Sequence, residues 1–221
     1  MGGEEAPRRR RNPRGQGQVL RAELVAAAAH LLATLDQPET LTLRQVAREV
    51  GVAPASIYSH FPDLGSLVRH VLRLRYAELA RLMDEAAAPA ADPLDDLAGR
   101  CAAYVRWGVE HPGEYRTLFG GRMPADLALP QDHGAGDAGE ALLGSVIASL
   151  AAVRQHGGEQ PAPARQWQDG LLLWTALHGL VVLYNDHGEL PWPPLDALIA
   201  DVLGLHAGRP AEEVAARLAA R

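Results

Sequence analysis

The chain contains a short run of small, hydroxyl-bearing and aromatic side chains that could make polar and apolar contacts with a partner. Residues 55–60 read Ala-Ser-Ile-Tyr-Ser-His. The methyl side chain of Ala55 can approach the methyl group of thymine, and the hydroxyls of Ser56 and Ser59 can donate to or accept from bases and phosphates. Tyr58 and His60 offer hydrogen bonds to phosphate oxygens. The chemistry available to this run is hydrogen bonding and apolar contact in a DNA groove.

Two residues upstream of this run extend the set of candidate contacts. Arg44 carries a planar guanidinium whose paired N–H groups match O6 and N7 of guanine. Thr42 stands two residues before it, at the predicted start of the same helix. Thr42 and Gln45 fit a capping box, in which the threonine hydroxyl accepts from the amide of Gln45 and the glutamine side chain reaches back. We therefore include Thr42 and Arg44 among the candidate DNA contacts.

The elements that must hold these side chains are two short helices joined by a tight turn. Apolar residues at helical spacing give the first helix a buried face; they are Leu43, Val46, Ala47 and Val50. Gly51 supplies the positive φ that lets the chain reverse after this helix. Pro54 suits the first turn of the next helix, where its missing N–H costs nothing. This pattern predicts a helix-turn-helix, whose second helix enters the major groove.

Ile57 and Phe61, four residues apart, are predicted to anchor the second helix inward. Helical spacing then turns Ala55, Ser56, Tyr58 and Ser59 away from the core. A preceding helix from about Leu20 to Leu35 is predicted to support the motif from behind. An ordinary helical hairpin without DNA binding is the alternative interpretation of the same pattern.

Charge is distributed unevenly along the chain. Residues 1–75 hold 11 arginines and 7 acidic residues, whereas residues 76–221 hold 10 arginines and 20 acidic residues. A basic N-terminal third on an acidic body favours a protein that meets DNA at one end. Residues 1–17 predict a disordered basic arm, in which Arg10, Arg11 and Arg14 are candidate minor-groove contacts. The same arm could instead be a flexible tail that adds only nonspecific attraction.

The remaining sequence predicts helices throughout, with no strand pattern. We expect an all-α fold: a helix-turn-helix domain at 18–63 and a larger helical domain at 64–221, interrupted by an irregular segment from 120 to about 139. No apolar run reaches the roughly 18 residues that span a bilayer, and no secretory signal is evident, so a cytoplasmic location is expected. Cys101 is the single cysteine, which excludes an intrachain disulfide.

The segment resembles the DNA-binding domain of TetR-family transcriptional regulators. The matching residues are Leu41-Thr42, Ala47, Gly51-Val52, Ile57-Tyr58 and His60-Phe61. The resemblance covers residues 18–70 and implies that Arg44, Ala55, Ser56, Tyr58, Ser59 and His60 contact DNA. Two positions depart from the family pattern. Ala53 replaces a frequent Ser or Thr helix cap, and Leu64 replaces a frequent lysine that contacts phosphate.

Residues 71–221 resemble the ligand-binding and dimerisation domain of that family more loosely. Trp174-Thr-Ala-Leu-His178-Gly179 is similar to the Trp-x-x-x-His-Gly pattern of one subgroup. The resemblance implies a homodimer formed by the last two long helices, at about 165–186 and 194–206. It also implies an unidentified small-molecule effector among the middle helices. The candidate lining residues, each of which could instead be an ordinary core residue, are Cys101, Tyr104, Trp107, Tyr115, Phe119, Trp174 and His178.

The motif predicts DNA binding, and the resemblance further implies a ligand-responsive repressor that binds a pseudo-palindromic operator as a homodimer. A metal-dependent or acid–base enzyme is the first rival. Against it, the nine histidines are scattered, and neither a His-Glu-x-x-His motif nor a glycine-rich phosphate loop occurs. We therefore expect no catalytic residues, no metal and no cofactor. The second rival is a helical protein-interaction module that has kept the fold and lost DNA binding.

Overall fold

A computed structural model of the chain describes residues 16–120 and 135–220. Within those two ranges every regular element is a helix, which confirms the expected all-α class. The elements are α1 (Gln16–Thr34), a 3₁₀ turn (Pro38–Thr40), α2 (Leu43–Val50), α3 (Pro54–Ile57), α4 (Leu64–Ala87), α5 (Pro93–Glu110), α6 (Pro112–Phe119), α7 (Ala135–His156), α8 (Pro163–Asp186), α9 (Leu195–Ala207) and α10 (Ala211–Ala219). None of the described helices is both long and apolar enough to cross a membrane.

Two helices begin earlier than the sequence pattern predicts. Helix α1 starts at Gln16, and α7 starts at Ala135 although the apolar repeat begins only near Ala141. Glycines in the first turns of α7 weaken its local helix signal. Packing compensates, because a Cβ at Gly139 would lie 3.5 Å from the Tyr76 ring of α4. The predicted irregular segment at 120–139 is therefore wrong for its last residues, while residues 121–134 lie outside the described ranges.

Side-chain caps fix the ends of the helices around the turn. The amide of Gln45 donates to Oγ1 of Thr42 at 3.3 Å, and the amide of Thr42 donates to Oε1 of Gln45 at 2.7 Å, so the predicted capping box is present. Gly51 ends α2 with φ of 75°, the left-handed conformation that favours glycine. Asp63 caps α4 by accepting from the amide of Ser66 at 2.6 Å. The hydrogen bonds from Ser66 lower the pKa of the Asp63 carboxyl.

One hydrophobic core runs through the molecule. In the N-terminal part, α1 packs against α2 and α4, and the buried side chains include Leu24, Leu32, Val46, Ile57 and Phe61. Helix α4 continues into the larger part, where it packs against α5 and α7. Because α4 belongs to both parts, it connects the N-terminal helices to the larger part of the core.

A close approach of three helices places the aromatic residues of the larger part. A Cβ at Gly108 of α5 would lie 2.7 Å from Cδ2 of Tyr115 in α6 and 2.7 Å from Cγ1 of Val181 in α8. Since real Cβ atoms do not approach so closely, the missing side chain at Gly108 lets α6 and α8 meet against α5. This contact positions Tyr115 beside α8.

Candidate functional site

Helix α3 presents one face to the core and the other to solvent. Ile57 and Phe61 are buried, whereas the Tyr58 side chain is 60% exposed. Ala55 and Ser59 are also exposed, and Ser56 is half-buried. Just after the helix, the backbone amides of His60 and Phe61 donate to the carbonyl of Ile57 at 2.8 and 2.9 Å. The structure thus gathers the predicted contact residues of this helix on one accessible surface.

The two candidate residues at the start of α2 differ in whether their side chains already bond to other protein groups. Arg44 is exposed in the first turn, and no hydrogen bond or ion pair involves it within the described part of the chain. Its guanidinium is therefore available to an external acceptor. The hydroxyl of Thr42 is occupied by Gln45, to which it donates at 2.8 Å. Thr42 accordingly serves first to orient α2, and with it Arg44.

His60 and the arm residues complete the predicted DNA-facing set. His60 is half-buried, with its ring beside the N-terminal turn of α1, where a Cβ at Gly17 would lie 3.8 Å from Cε1. This places the start of α1 next to the end of the α3 segment. Arg10, Arg11 and Arg14 lie outside the described residues.

Helix α3 lacks a side-chain cap. Its N-cap is Ala53, whose side chain cannot accept a hydrogen bond, and the amide of Ser56 is satisfied by the Ala53 carbonyl at 2.9 Å. Pro54 at the first helical position has no N–H to satisfy. The departure from the family pattern at Ala53 therefore leaves a four-residue helix held mainly by the burial of Ile57 and Phe61.

Six of the seven predicted effector-contact residues form one aromatic cluster. We call this group the aromatic cluster, and its members are Tyr104, Trp107, Tyr115, Phe119, Trp174 and His178. Tyr115 and His178 stack with ring centroids 5.5 Å apart, and Trp174 stacks on the same His178 ring at 5.3 Å. Phe119 contacts Tyr115 at 4.8 Å. The cluster connects α5, α6 and α8.

A chain of hydrogen bonds runs through the aromatic cluster. The hydroxyls of Tyr104 and Tyr115 lie 2.7 Å apart, and the Tyr115 hydroxyl lies 2.6 Å from Nδ1 of His178. One proton arrangement leaves no buried phenol proton unpaired: Tyr104 donates to Tyr115, and Tyr115 donates to His178. Burial raises the pKa of both phenols and lowers the pKa of His178. In this arrangement Nδ1 of His178 accepts, which places the ring proton on Nε2.

A cavity of about 400 Å³ opens between α6 and α8 beside the aromatic cluster. Tyr115, Phe119 and His178 line it, whereas Tyr104 is almost completely buried behind them. Its volume falls within the roughly 300–1,000 Å³ typical of small-molecule sites. The remaining lining residues were not singled out from the sequence and include Arg116, Val182, Asn185 and Asp186. The spacing of His178, Val182 and Asn185, which places them on one helix face, could have identified them.

Cys101 lies apart from this cavity. It is fully buried on α5, one turn before Tyr104, and burial raises the pKa of its thiol to about 12. A thiol in this environment stays protonated and behaves as a small apolar side chain. Within residues 16–120 and 135–220, no three His, Cys, Asp or Glu side chains are grouped closely enough to hold a metal ion.

Helices α8 and α9 carry apolar side chains that this chain leaves exposed. The exposed members are Trp167, Leu171, Leu172, Leu183 and Leu205. Leu205 is 81% exposed, which is unusual for a leucine in a helix. A Cβ at Gly179, midway along α8, would have no atom within 4 Å. We call these exposed side chains, together with Gly179, the α8–α9 face.

Comparison with known proteins identifies both parts of the chain. Residues 24–71 match the family model described as bacterial regulatory proteins, tetR family, and residues 97–205 match the model described as tetracyclin repressor-like, C-terminal domain. Together the two models cover more than two thirds of the chain. The subgroup defined by Trp-x-x-x-His-Gly stays a prediction.

Solved structures share the fold over nearly the whole chain. A protein described as a regulatory protein, SCO4313, is 24% identical, with a TM-score of 0.71, covering 89% of this chain and 100% of that one. A TetR-family transcriptional regulator from Streptomyces coelicolor is 18% identical, with a TM-score of 0.63 and coverages of 92% and 89%. RolR in complex with resorcinol is 16% identical, with a TM-score of 0.58 and coverages of 91% and 94%.

These structures establish the likeness of fold, and the two family models establish the relationship. The helix-turn-helix of α2 and α3 coincides with the matched regulatory domain, and the helices around the aromatic cluster coincide with the matched C-terminal domain. The chain belongs to the TetR family of bacterial regulatory proteins and is a DNA-binding transcriptional regulator.

Proposed function

We propose that the protein is a ligand-responsive repressor that binds a pseudo-palindromic operator as a homodimer. The observation that carries the proposal is the division of α3 into a buried side, Ile57 and Phe61, and an accessible side that includes Ala55 and Tyr58. A helix displayed in this way fits the major groove, and a two-fold dimer would place two such helices about one helical turn of DNA apart.

The accessible residues divide into two roles. Arg44, free of protein partners, would read a guanine through its paired N–H groups, and Ala55 would contact a thymine methyl. Ser56, Tyr58, Ser59 and His60 would bind mainly phosphates, fixing the position of α3 without reading sequence. Arg10, Arg11 and Arg14 would add contacts in the neighbouring minor groove. Because several contacts involve phosphates, affinity should fall steeply with salt.

Dimerisation would cover the α8–α9 face. This face supports the proposal because its leucines and Trp167 are exposed to solvent, and because Gly179 offers room for close approach of a partner helix. Leu205→Glu should therefore produce monomers, since it would bury a carboxylate in the interface. Leu74→Glu is the matched control, because Leu74 is an exposed leucine on α4, outside this face. Sedimentation of both variants tests the assignment; equal dimerisation of the two would contradict it.

The effector would occupy the cavity between α6 and α8. Aromatic walls from Tyr115, Phe119 and His178 favour an apolar or aromatic compound, and the Nε2 proton of His178 can donate to a polar group on it. RolR, which shares the fold, is known in complex with resorcinol. The aromatic ligand of that protein supports an aromatic effector here.

Effector and operator would compete through the spacing of the two α3 helices in the dimer. If the effector lowers operator affinity by some factor, the operator must lower effector affinity by the same factor. In this account the protein acts through binding alone and performs no catalysis.

The proposal is tested by an electrophoretic shift with the DNA upstream of the protein's own gene. The complex of the purified dimer with this DNA is challenged with random competitor DNA of equal length at moderate salt. A shift that survives random competitor supports the proposal. A dimer that shows no specific shift there, and that selects no sequence from a random pool, would favour the alternative of a helical interaction module that has lost DNA binding.

A further inference from the structure

We propose that a groove between α1 and α4 is a second ligand site, which takes a small amphipathic carboxylate. The groove has a volume of about 650 Å³, and its apolar walls are formed by Ala22, Val25 and Ala26 of α1 with Val71 and Leu74 of α4. Arg21 and His70 stand at one end. No residue of this groove lines the cavity between α6 and α8. We call it the α1–α4 groove.

The Arg21 end of the groove has more hydrogen-bond donors than acceptors. Nη1 of Arg21 lies 3.2 Å from Nε2 of His70, and Nη2 of Arg73 lies 2.9 Å from Nδ1 of the same ring. A neutral imidazole has one acceptor nitrogen and one N–H, so it can accept from only one of the two arginines. Burial, together with the charges of Arg21 and Arg73, lowers the pKa of His70, which favours the neutral ring.

Neither arginine has an acidic partner to supply the missing acceptor. Across residues 16–120 and 135–220, no carboxylate forms a salt bridge with Arg21 or Arg73, and Arg21 otherwise lies over the Phe61 ring at 4.4 Å. Arg73 does not line the groove, so a carboxylate bound there would offer its two acceptor oxygens to the guanidinium of Arg21, in the geometry that arginine prefers. The Arg21 end therefore suits an anionic head group.

At the opposite end of the groove, the positive charge of Arg75 is already paired with carboxylates. Arg75 donates to Glu78 at 2.7 Å and lies 3.4 Å from a carboxylate oxygen of Glu114 in α6. A second anion there would meet two carboxylates, so the charge pattern favours one orientation, with the head at Arg21 and the rest of the ligand extending toward Arg75.

The walls between the two ends favour an apolar body. Leu74 is 49% exposed in the groove, and the opposing Ala22 and Ala26 are small and exposed, which leaves room above them. Covering these side chains would remove apolar surface from water. An alkyl or aryl carboxylate supplies both an anionic head group for Arg21 and an apolar body for the walls. A neutral hydrocarbon or an inorganic anion supplies only one of the two.

Calorimetric titration of the full-length protein with octanoate, in the absence of DNA, tests the site. Octanoate should saturate one site per protomer in this groove, and octan-1-ol, which has the same chain without the charge, should bind at least about tenfold more weakly, a difference that titration resolves readily. Ala26→Trp, which fills the groove, should abolish this binding. Ala148→Trp, at an exposed alanine of α7, is the matched control and should leave it unchanged.

Two further variants separate head group from body. The variant Arg21→Gln should weaken octanoate binding about tenfold or more, while its effect on octan-1-ol should be small, because only the anion uses this donor. Leu74→Gln, at an exposed position that tolerates polarity, should weaken both compounds.

Three results would overturn the proposal. Octanoate binding that survives Ala26→Trp would place the compound elsewhere, and equal binding of octan-1-ol would remove any role for Arg21. A change of oligomeric mass in Ala26→Trp, measured by light scattering, would mean that a second copy of the chain fills the groove. Since no DNA is present, these results stand apart from the test of operator binding.

Discussion

The Tyr115 hydroxyl of α6 lies 2.6 Å from Nδ1 of His178 in α8, and their rings stack with centroids 5.5 Å apart. This pair joins the cavity to the helix-turn-helix, because α6 also contacts α1. Arg116 donates from Nη2 to the carbonyl of Ala33 at 3.1 Å, and Gly113 lies directly against the same residue. His178 is therefore linked through α6 to the helix that supports α2 and α3.

The direction of the hydrogen bonds in the aromatic cluster predicts unequal effects of two similar substitutions. Tyr115→Phe leaves the buried Tyr104 proton without an acceptor and Nδ1 of His178 without a donor, so it should lower the free energy of unfolding by about 1–3 kcal/mol. Tyr104→Phe keeps the bond from Tyr115 to His178 and should cost only about 0.5–1.5 kcal/mol. Urea unfolding measures both. Equal costs would mean that the assigned direction is wrong.

Stability should fall as the pH drops below neutral. Burial is the main cause that lowers the pKa of His70, His178 and His206 from the usual 6.5. The unfolded chain therefore binds more protons than the folded chain as the pH falls through that value. Stability present at about pH 7.5 should be partly lost by about pH 5.5. His178→Asn should flatten the dependence measured by urea unfolding; an unchanged slope would show that His178 is not held neutral.

Two Gly→Ala substitutions are predicted to change the free energy of unfolding in opposite directions, one at the contact between α6 and α1 and one in open space on α7. A Cβ at Gly113 would collide with the backbone of Ala33, so Gly113→Ala should destabilise the protein by about 1–3 kcal/mol. A Cβ at Gly144 of α7 would have no atom within 4 Å. Gly144→Ala should therefore stabilise it by roughly 0.5–1 kcal/mol through helix propensity. Thermal melting compares the two, and destabilisation by both would indicate that the Gly113 contact is not the cause.

The sequence predicted the helices that carry strong local signals and missed what depends on packing. Thr42, Gln45, Gly51 and Pro54 act within a few residues, and the capping box and turn follow from them. The start of α7 could not be predicted in this way, because Gly139 is held by Tyr76 of a distant helix.

The candidate sites divide along the same line. The accessible side of α3 follows from the inward direction of Ile57 and Phe61. Which aromatic residues line the cavity depends on how α5, α6 and α8 meet at Gly108, a contact between residues far apart in the chain. The α1–α4 groove has no sequence signature either, since Arg21 and His70 meet only in the fold.

The missing cap of α3 predicts a stabilising substitution in the DNA-binding part. Ala53→Ser would place a hydroxyl where it can accept from a free amide in the first turn, and should raise the free energy of unfolding by about 0.5–2 kcal/mol. Thermal melting is the measurement, with Ala55→Ser, inside the same helix, as the control. A larger gain at Ala55 than at Ala53 would exclude capping as the mechanism.

The central claim is that the surface formed by α2 and α3 reads an operator sequence, and fluorescence anisotropy with operator and random duplexes at one salt concentration tests it most directly. Tyr58→Phe should weaken binding to all sequences similarly, because it removes a phosphate contact. Arg44→Ala should relax the preference at one base position by roughly 1–3 kcal/mol while leaving random DNA little affected. An Arg44→Ala protein that loses affinity for operator and random DNA equally would contradict the claim.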